Sequence, residues 1–361
     1  MTKDIVDGAR PVREGEELDL LPLEEYLASE LAGFRGPLQV EQFPKGHSNL
    51  TYLLRAGDRQ LVLRRPPFGA RIKTAHDMGR EYRILSSLEG VYPKAPAPYL
   101  FCVDETVIGA PFYVMDRVEG VILRGKQLPA GLDLGPGDMR RLSTALIDGL
   151  AELHGVDVAA ADLADFGRPK GYVERQVTGW ARRYFDAKTD EIPEVEEAAG
   201  WLADHLPDDN PGALIHGDFK YDNLVLDPVE LTRIIAVLDW EMATVGDPLM
   251  DLGTTLGYWV EASDPDEIKM LPLGPTLLPG NLTRMELAER YAAQTGRSVD
   301  NVLFYFVYAL LKIAVIAQQI YKRFKDGHTK DPRFAMMIVG VQLLGRSAVR
   351  AIELGRIYDL A

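Results

Sequence analysis

The chain has 361 residues, 54 acidic and 40 basic, for a formal net charge of −14, and 47% of it is apolar. That length carries a substantial core and two domains or lobes, and that charge gives no broad attraction to nucleic acid or to an anionic membrane surface. One cysteine, Cys102 in the apolar run YLFCVDE, rules out an internal disulfide and is expected as a buried structural thiol. The start, MTKDIVDGAR, lacks the apolar run of a secretion signal. No segment is expected to reach the length of a membrane-spanning helix, since FYFVYALLKIAVIAQQI carries Lys312 and two glutamines. These features predict a cytoplasmic protein, a monomer or homodimer with no nucleic-acid and no membrane partner.

In chain order, LLPLEEYLASELA (20–32) predicts a short helix ended by GFRGP. LQVEQFPKGHSNLTYLLRAGDRQLVLRRPP predicts strand, turn, strand, turn, strand, with GDR as the second turn and the double proline as the stop. TAHDMGREYRILSSL (74–88) has helical spacing, with Met78, Tyr82, Leu85 and Leu88 as its inner stripe. After the Pro-rich YPKAPAP, the segments YLFCVD and APFYVMDRVEG predict two further strands. A small β-rich lobe with one inserted helix results. The boundary falls at Glu119–Gly120, dividing 1–118 from 119–361. Beyond it the chain is mainly helical, with helices expected in 138–157, 172–187, 192–206, 283–295, 300–320 and 332–355. RIIAVLD predicts a strand, and DPLMDLGTTLGYWV opens a helix with Pro248 at an allowed first-turn position.

The stretch LIHGDFKYDNLVLD (214–227) carries the chemistry, a polar loop between two apolar strand pieces. Asp218 and Asn223 lie five apart, and Asp239 follows sixteen residues later at the end of the strand IIAVLD. An Asn carbonyl and an Asp carboxylate are hard oxygen ligands, suited to a Mg²⁺ that keeps waters and phosphate oxygens around it. Asp218 then has the role of orienting a substrate hydroxyl and accepting its proton, as phosphoryl transfer requires. His216 is assigned to bracing the loop from its ring, and Lys220 either reaches the transferred phosphate as a point charge or is exposed.

HGDFKYDN followed by VLDWEMATVGDPLMDLG resembles the aminoglycoside phosphotransferase–choline kinase superfamily, a branch of the protein-kinase-like fold. Within it, the chain is most similar to the branch of the N-terminal kinase-like domains of vertebrate acyl-CoA dehydrogenases 10 and 11. The resemblance runs from about residue 20 to 355 and implies an α+β, bilobal, protein-kinase-like fold. It also implies Asp218 as catalytic base, Asn223 and Asp239 as Mg²⁺ ligands, and ATP or GTP as donor. Gly stands at 217 where protein kinases have Arg, Asp239 is followed by Trp240–Glu241, and no Ala-Pro-Glu segment follows. A protein acceptor is therefore not expected.

Other stretches take roles beside that frame. In KGHSNLTYLL the family's corresponding turn lies over the nucleotide phosphates, with Gly46 allowing close backbone approach and Ser48 and Asn49 as donors. Alternation along LVLRRPP puts Leu61 and Leu63 on one face and Val62 and Arg64 on the other, so Arg64 stands where kinases place a phosphate-holding lysine. Its expected partner is Glu81 in REYRIL. FYVMDRVEG resembles the hinge that pairs with the adenine edge, giving Met115, Asp116 and Val118 as candidates. Asp247 is placed as a helix cap, the resemblance implies that an Asp here braces the catalytic loop, and Asp251 is either substrate-facing or structural. Trp240, Tyr258 and Trp259 either wall the acceptor site or pack in the core. The acceptor is expected to be a small hydroxylated molecule. An aminoglycoside drawn by EIPEVEEAAG and PDDNPG, or a hydroxyacyl-CoA, are the named alternatives. A nucleotide-binding pseudokinase would lack the base or a metal ligand, and all three residues are present. A metallohydrolase is disfavoured by the absence of HExxH, and a Rossmann dehydrogenase by the absence of GxGxxG after an early strand.

Overall fold

A computed structural model describes residues 5–44, 49–68, 77–329 and 331–361. Its elements in chain order are α1 (Leu20–Glu30), β1 (Gln39–Gln42), β2 (Leu50–Ala56), β3 (Arg59–Arg65), α2 (Met78–Leu88), β4 (Pro98–Cys102), α3 (Glu105–Ile108) and β5 (Phe112–Asp116). There follow α4 (Pro136–Leu153), α5 (Tyr172–Ala187), α6 (Pro193–Asp204), β6 (Ala213–Ile215), β7 (Leu224–Leu226), β8 (Ile234–Val237) and β9 (Thr244–Gly246). The chain ends with α7 (Pro248–Gly257), α8 (Arg284–Thr295), α9 (Val302–Lys325) and α10 (Met337–Leu354). The architecture is α+β and bilobal, with a small β-sheet lobe and a larger, mainly helical one, as in the protein-kinase-like fold.

The residues group into two compact units. The first comprises 1–122, 160–162 and 224–243, and so includes the β7–β8 hairpin and Asp239. The second comprises 123–159, 163–223 and 244–361.

In the first unit an antiparallel sheet runs in the order β1-β2-β3-β5-β4. Period-2 alternation sorts its side chains. Leu50, Tyr52, Leu54, Leu61, Leu63, Phe112 and Val114 join Leu23 and Leu27 of α1 in one apolar core. Arg64 therefore stands on the opposite face, directly across the ladder from Tyr113 of β5. Cys102 is buried in the α1-side core. The helix α2 starts where the Asp77 side chain accepts from the Arg80 amide at 3.0 Å. It buries Met78, Glu81, Ile84, Leu85 and Leu88. Tyr82, expected in that stripe, lies only half-buried and stacks on Phe101 with ring centroids 5.7 Å apart.

In the second unit the helices bury one another. At α7, a Cβ added to Gly253 would sit 2.3 Å from the Tyr305 carbonyl oxygen, and one added to Gly257 2.7 Å from Cβ of Ala309. Only glycine lets α7 and α9 approach this closely. The α9 helix runs to Lys325, five residues past its expected end. By length and hydropathy, α9 and the segment Pro332–Leu354 would each suffice to cross a membrane, which corrects the expectation drawn from sequence. Of the apolar window in α9, 72% is buried within the protein.

Candidate active site

The second unit carries the loop between β6 and Asn223. β6 pairs antiparallel with β9, Leu214 opposite Val245, which anchors the loop at its entry. Asp251, one turn into α7 and fully buried, holds the loop backbone. Its carboxylate accepts from the amides of His216 at 2.6 Å and Gly217 at 2.8 Å. The His154 ring lies 3.1 Å from the same carboxylate and 2.7 Å from the Tyr291 hydroxyl. Burial would push the Asp251 carboxyl up, but the His154 bond and the His216 amide and ring hold it below its ordinary range. Asp247 caps α7 by accepting from the Leu249 amide at 2.8 Å and also accepts from Asn210. The bonds to the loop amides come from Asp251, which the sequence alone allows as either substrate-facing or structural. His216 is buried, and its Nδ1 accepts from the Asp218 amide at 3.3 Å.

Asp218 is brought together with Lys220 and Asn223. The Lys220 ammonium lies 3.0 Å from Oδ1 and 2.8 Å from Oδ2 of Asp218, and 4.2 Å from the centre of the Tyr258 ring. Burial alone would pull that ammonium down. The Tyr258 phenol and the Asp218 carboxylate outweigh it and hold Lys220 above its ordinary range. Asn223 Nδ2 donates to both the backbone oxygen of Asp218, at 2.8 Å, and its Oδ2, at 2.9 Å. Its amide nitrogen is committed to Asp218, and the amide oxygen is the remaining acceptor of that side chain.

The first unit carries a second constellation. Arg64 NH1 donates to Glu81 at 2.6 Å and NH2 to Asp239 at 2.9 Å, with Glu241 3.9 Å away. Burial would pull the Arg64 guanidinium down, but Glu81 foremost, with Tyr113 and Asp239, holds it well above its ordinary value. Asp239 follows β8 with a left-handed backbone, φ 69°, a conformation in which an aspartate is enriched and other side chains are rare. Asn49 donates to Glu241 at 2.9 Å. At the expected hinge, the Asp116 amide donates to the Ala97 carbonyl at 2.8 Å, and the Asp116 carboxylate accepts from the Tyr99 hydroxyl at 2.5 Å. Met115 is buried on β5, and Val118 packs against Ile122, Val225 and Ala236. Gly46 and Ser48 lie outside the described residues. Trp240 packs on Tyr92 in the first unit, and Trp259 is buried in the second, donating to the Leu282 carbonyl, so both are core residues.

Reasoning from sequence missed Glu241, Tyr113, His154, Tyr291 and Lys312. The one local signal among them was Lys312, a lone cation in an apolar helix. Among the described residues, no group of three or more His, Cys, Asp or Glu side chains could hold a metal. The amide oxygen of Asn223 and the carboxylate of Asp239 are each of the hard-oxygen class that Mg²⁺ takes beside water and phosphate oxygens.

The profile of the phosphotransferase enzyme family matches residues 39–287. Mouse acyl-CoA dehydrogenase family member 10 is 37% identical over 329 residues, covering 90% of this chain and 30% of that protein. Chicken acyl-CoA dehydrogenase family member 11 is 38% identical over 367 residues, covering 96% and 46% respectively. The chain thus spans less than half the length of these curated relatives. Among solved structures, a protein from Ralstonia eutropha provisionally named an aminoglycoside phosphotransferase is 31% identical, with a TM-score of 0.75 over 92% of this chain and 99% of that one. A type I macrolide 2'-phosphotransferase, 19% identical with a TM-score of 0.57 over 88% and 95%, shares the fold. The chain belongs to the phosphotransferase enzyme family, within the protein-kinase-like superfamily.

Proposed function

We propose that the chain is a small-molecule kinase that transfers the γ-phosphoryl group of ATP to a hydroxyl of its acceptor. The observation that carries this reading is the Asp218 carboxylate, gripped by Lys220 and Asn223 on a loop whose amides are pinned to Asp251. A base must be held within a fraction of an ångström of its working position, and a doubly anchored carboxylate on a pinned backbone meets that need. Asp218 accepts the proton of the acceptor hydroxyl. Lys220 holds the carboxylate in place and faces the charge that develops on the transferred group. The Asn223 amide oxygen and the Asp239 carboxylate are the ligands for Mg²⁺, and Arg64, oriented by Glu81, is the cation for the nucleotide phosphates. When bound, Mg²⁺–ATP supplies the phosphoryl group and neutralises its charge. Val118, beyond the sheet, is the candidate to offer backbone groups to the base, whereas Met115 is paired with Val62 and Pro98 and the Asp116 amide already serves the Ala97 carbonyl.

The acceptor is a small hydroxylated molecule. Two relatives named as acyl-CoA dehydrogenase family members make hydroxyacyl thioesters the first class to test, ahead of aminoglycosides. The test is coupled ADP release with Mg²⁺–ATP across hydroxyacyl-CoA thioesters, amino alcohols, sugars and aminoglycosides, beside Asp218→Ala. Asp218→Ala is expected to lower kcat by roughly 10²–10⁴ while leaving Mg²⁺–ATP affinity within about twofold. A variant turning over at the wild-type rate would remove Asp218 from the role of base. Failure of the wild type to bind either ATP or GTP would refute the kinase reading itself.

A further inference from the structure

A buried cation that the proposed chemistry does not use lies against the catalytic loop. Lys312 sits in the middle of α9 between the buried Leu311 and Ile313, and is itself 4% exposed. Lysine is seldom buried this deeply without a carboxylate, because removing an ammonium from water is costly. Yet the atom Lys312 meets is a neutral one. Its Nζ donates to the Gly217 carbonyl at 2.5 Å.

That carbonyl occupies a particular place. Gly217 has a positive φ of 80°, a conformation that glycine adopts without penalty. The peptide group joining Gly217 to Asp218 has its oxygen on Lys312 and its N–H on Nδ1 of His216, 3.3 Å away. Both polar atoms of the peptide group leading into Asp218 are therefore held. Asp251 takes the two preceding amides. The clamp is thus built from α7 on one side and α9 on the other, the two helices that approach through Gly253 and Gly257. A carbonyl needing only a partner would be served by a hydroxyl or a water at far lower desolvation cost. A charged donor gives a stronger and more directional hold.

We propose that Lys312 is a positioning residue for phosphoryl transfer: by holding the Gly217 carbonyl it orients the peptide group that carries Asp218, so that turnover, and not nucleotide binding, depends on it. The proposal rests on the reading of Asp218 as base. Among the described residues, the charged groups acting on Lys312 are Asp218 and Lys220 from the loop and Asp251 from α7. Burial pulls its ammonium from 10.5 down to about 8, with Lys220 adding to the fall and the two carboxylates opposing it. The grip therefore weakens on the alkaline side of neutrality.

The test compares the wild type with Lys312→Met and Lys312→Arg by two readouts, ADP release from Mg²⁺–ATP and backbone hydrogen exchange over residues 216–219. Lys312→Met is expected to lower kcat roughly tenfold or more, leave KM for ATP within about twofold, and quicken exchange at 217–218 roughly tenfold. Lys312→Arg, which keeps a charged donor, recovers part of both. In the wild type kcat falls as the pH rises through about 8, and that limb is missing from Lys312→Met. Wild-type kcat in the Met variant or unchanged exchange would each overturn the clamp. Should Lys312→Met not fold, Lys312→Gln, a neutral donor one bond shorter, takes its place, and wild-type kcat with unchanged exchange in that variant overturns the clamp. A wild type that releases no ADP would defeat the reading of Asp218 as base. Hydrogen exchange would then still decide the clamp, supporting it if quickened in the Met variant and overturning it if unchanged.

Discussion

Arg64 shows how much one residue's partners decide. It faces three carboxylates with one charge: Glu81 at 2.6 Å, Asp239 at 2.9 Å and Glu241 at 3.9 Å. Glu81 is its buried partner, while the Asp239 side chain is about one-third exposed. Removing Glu81 strands part of the guanidinium's charge in the interior and turns Arg64 wholly to Asp239, the proposed Mg²⁺ ligand. Glu81→Ala is therefore expected to cost about 3 kcal/mol of stability and to raise the Mg²⁺ concentration at which ATP binds. A denaturant midpoint and calorimetry at two Mg²⁺ levels measure both effects, and two unchanged values would mark Glu81 as an inert charge. Arg64 and Glu81 were legible from sequence because period-2 alternation and a helical stripe each point a side chain in a definite direction. Tyr113 was not, since an aromatic in a strand announces only burial. Lys312 was visible as an oddity, but nothing local names a carbonyl 95 residues upstream as its partner.

Among elements, the α7–α9 pair bears most on the site, because α7 presents Asp251 and α9 presents Lys312. Gly253 is the point of closest approach, with a hypothetical Cβ 2.3 Å from a backbone oxygen and 2.7 Å from a backbone carbon of Tyr305. Backbone cannot rotate away as a side chain can. Gly253→Ala gains about 1 kcal/mol of helix propensity, but the overpacking costs roughly 3 kcal/mol. The net expectation is a loss of about 2 kcal/mol, read as a lowered thermal midpoint and accompanied by a reduced kcat as α9 is pushed outward. A midpoint at or above that of the wild type would mean that the helices have room to part. The long helices were legible from their 3.6-residue periodicity. β6 and β9, three residues each, are too short for alternation to be read, so their pairing, which anchors the loop, was invisible. The end of α9 was misjudged because the polar run QQIYKRFK continues the helix on good propensity after the apolar stripe ends.

At the scale of the whole molecule, stability against pH separates a diffuse charge from a local one. The net charge of −14 grows more negative above neutrality, and self-repulsion then erodes stability in every variant alike. Lys312 acts in the opposite direction. Its ammonium titrates near 8 in the folded chain and at an ordinary 10.5 when unfolded, so between these values the unfolded chain binds more protons. Stability contributed through Lys312 therefore rises with pH across that window, because the penalty for burying the charge, present in full below about 8, is progressively relieved. Over the full window the gain is about 3 kcal/mol, and from about pH 7.5 to 9.5 it is roughly 2 kcal/mol. Lys312→Met has no such group. Subtracting its denaturation free energy from that of the wild type at each pH cancels the shared repulsion and leaves the Lys312 contribution. The difference is expected to move in favour of the wild type as the pH rises, over the same interval in which wild-type turnover falls. A residue kept for packing alone would give the fold's best stability and the enzyme's best activity at the same pH; opposite slopes in the two measurements would mark a charge retained at the expense of stability. A pH-independent difference would show that Lys312 keeps its proton throughout and would remove the basis for an alkaline limb.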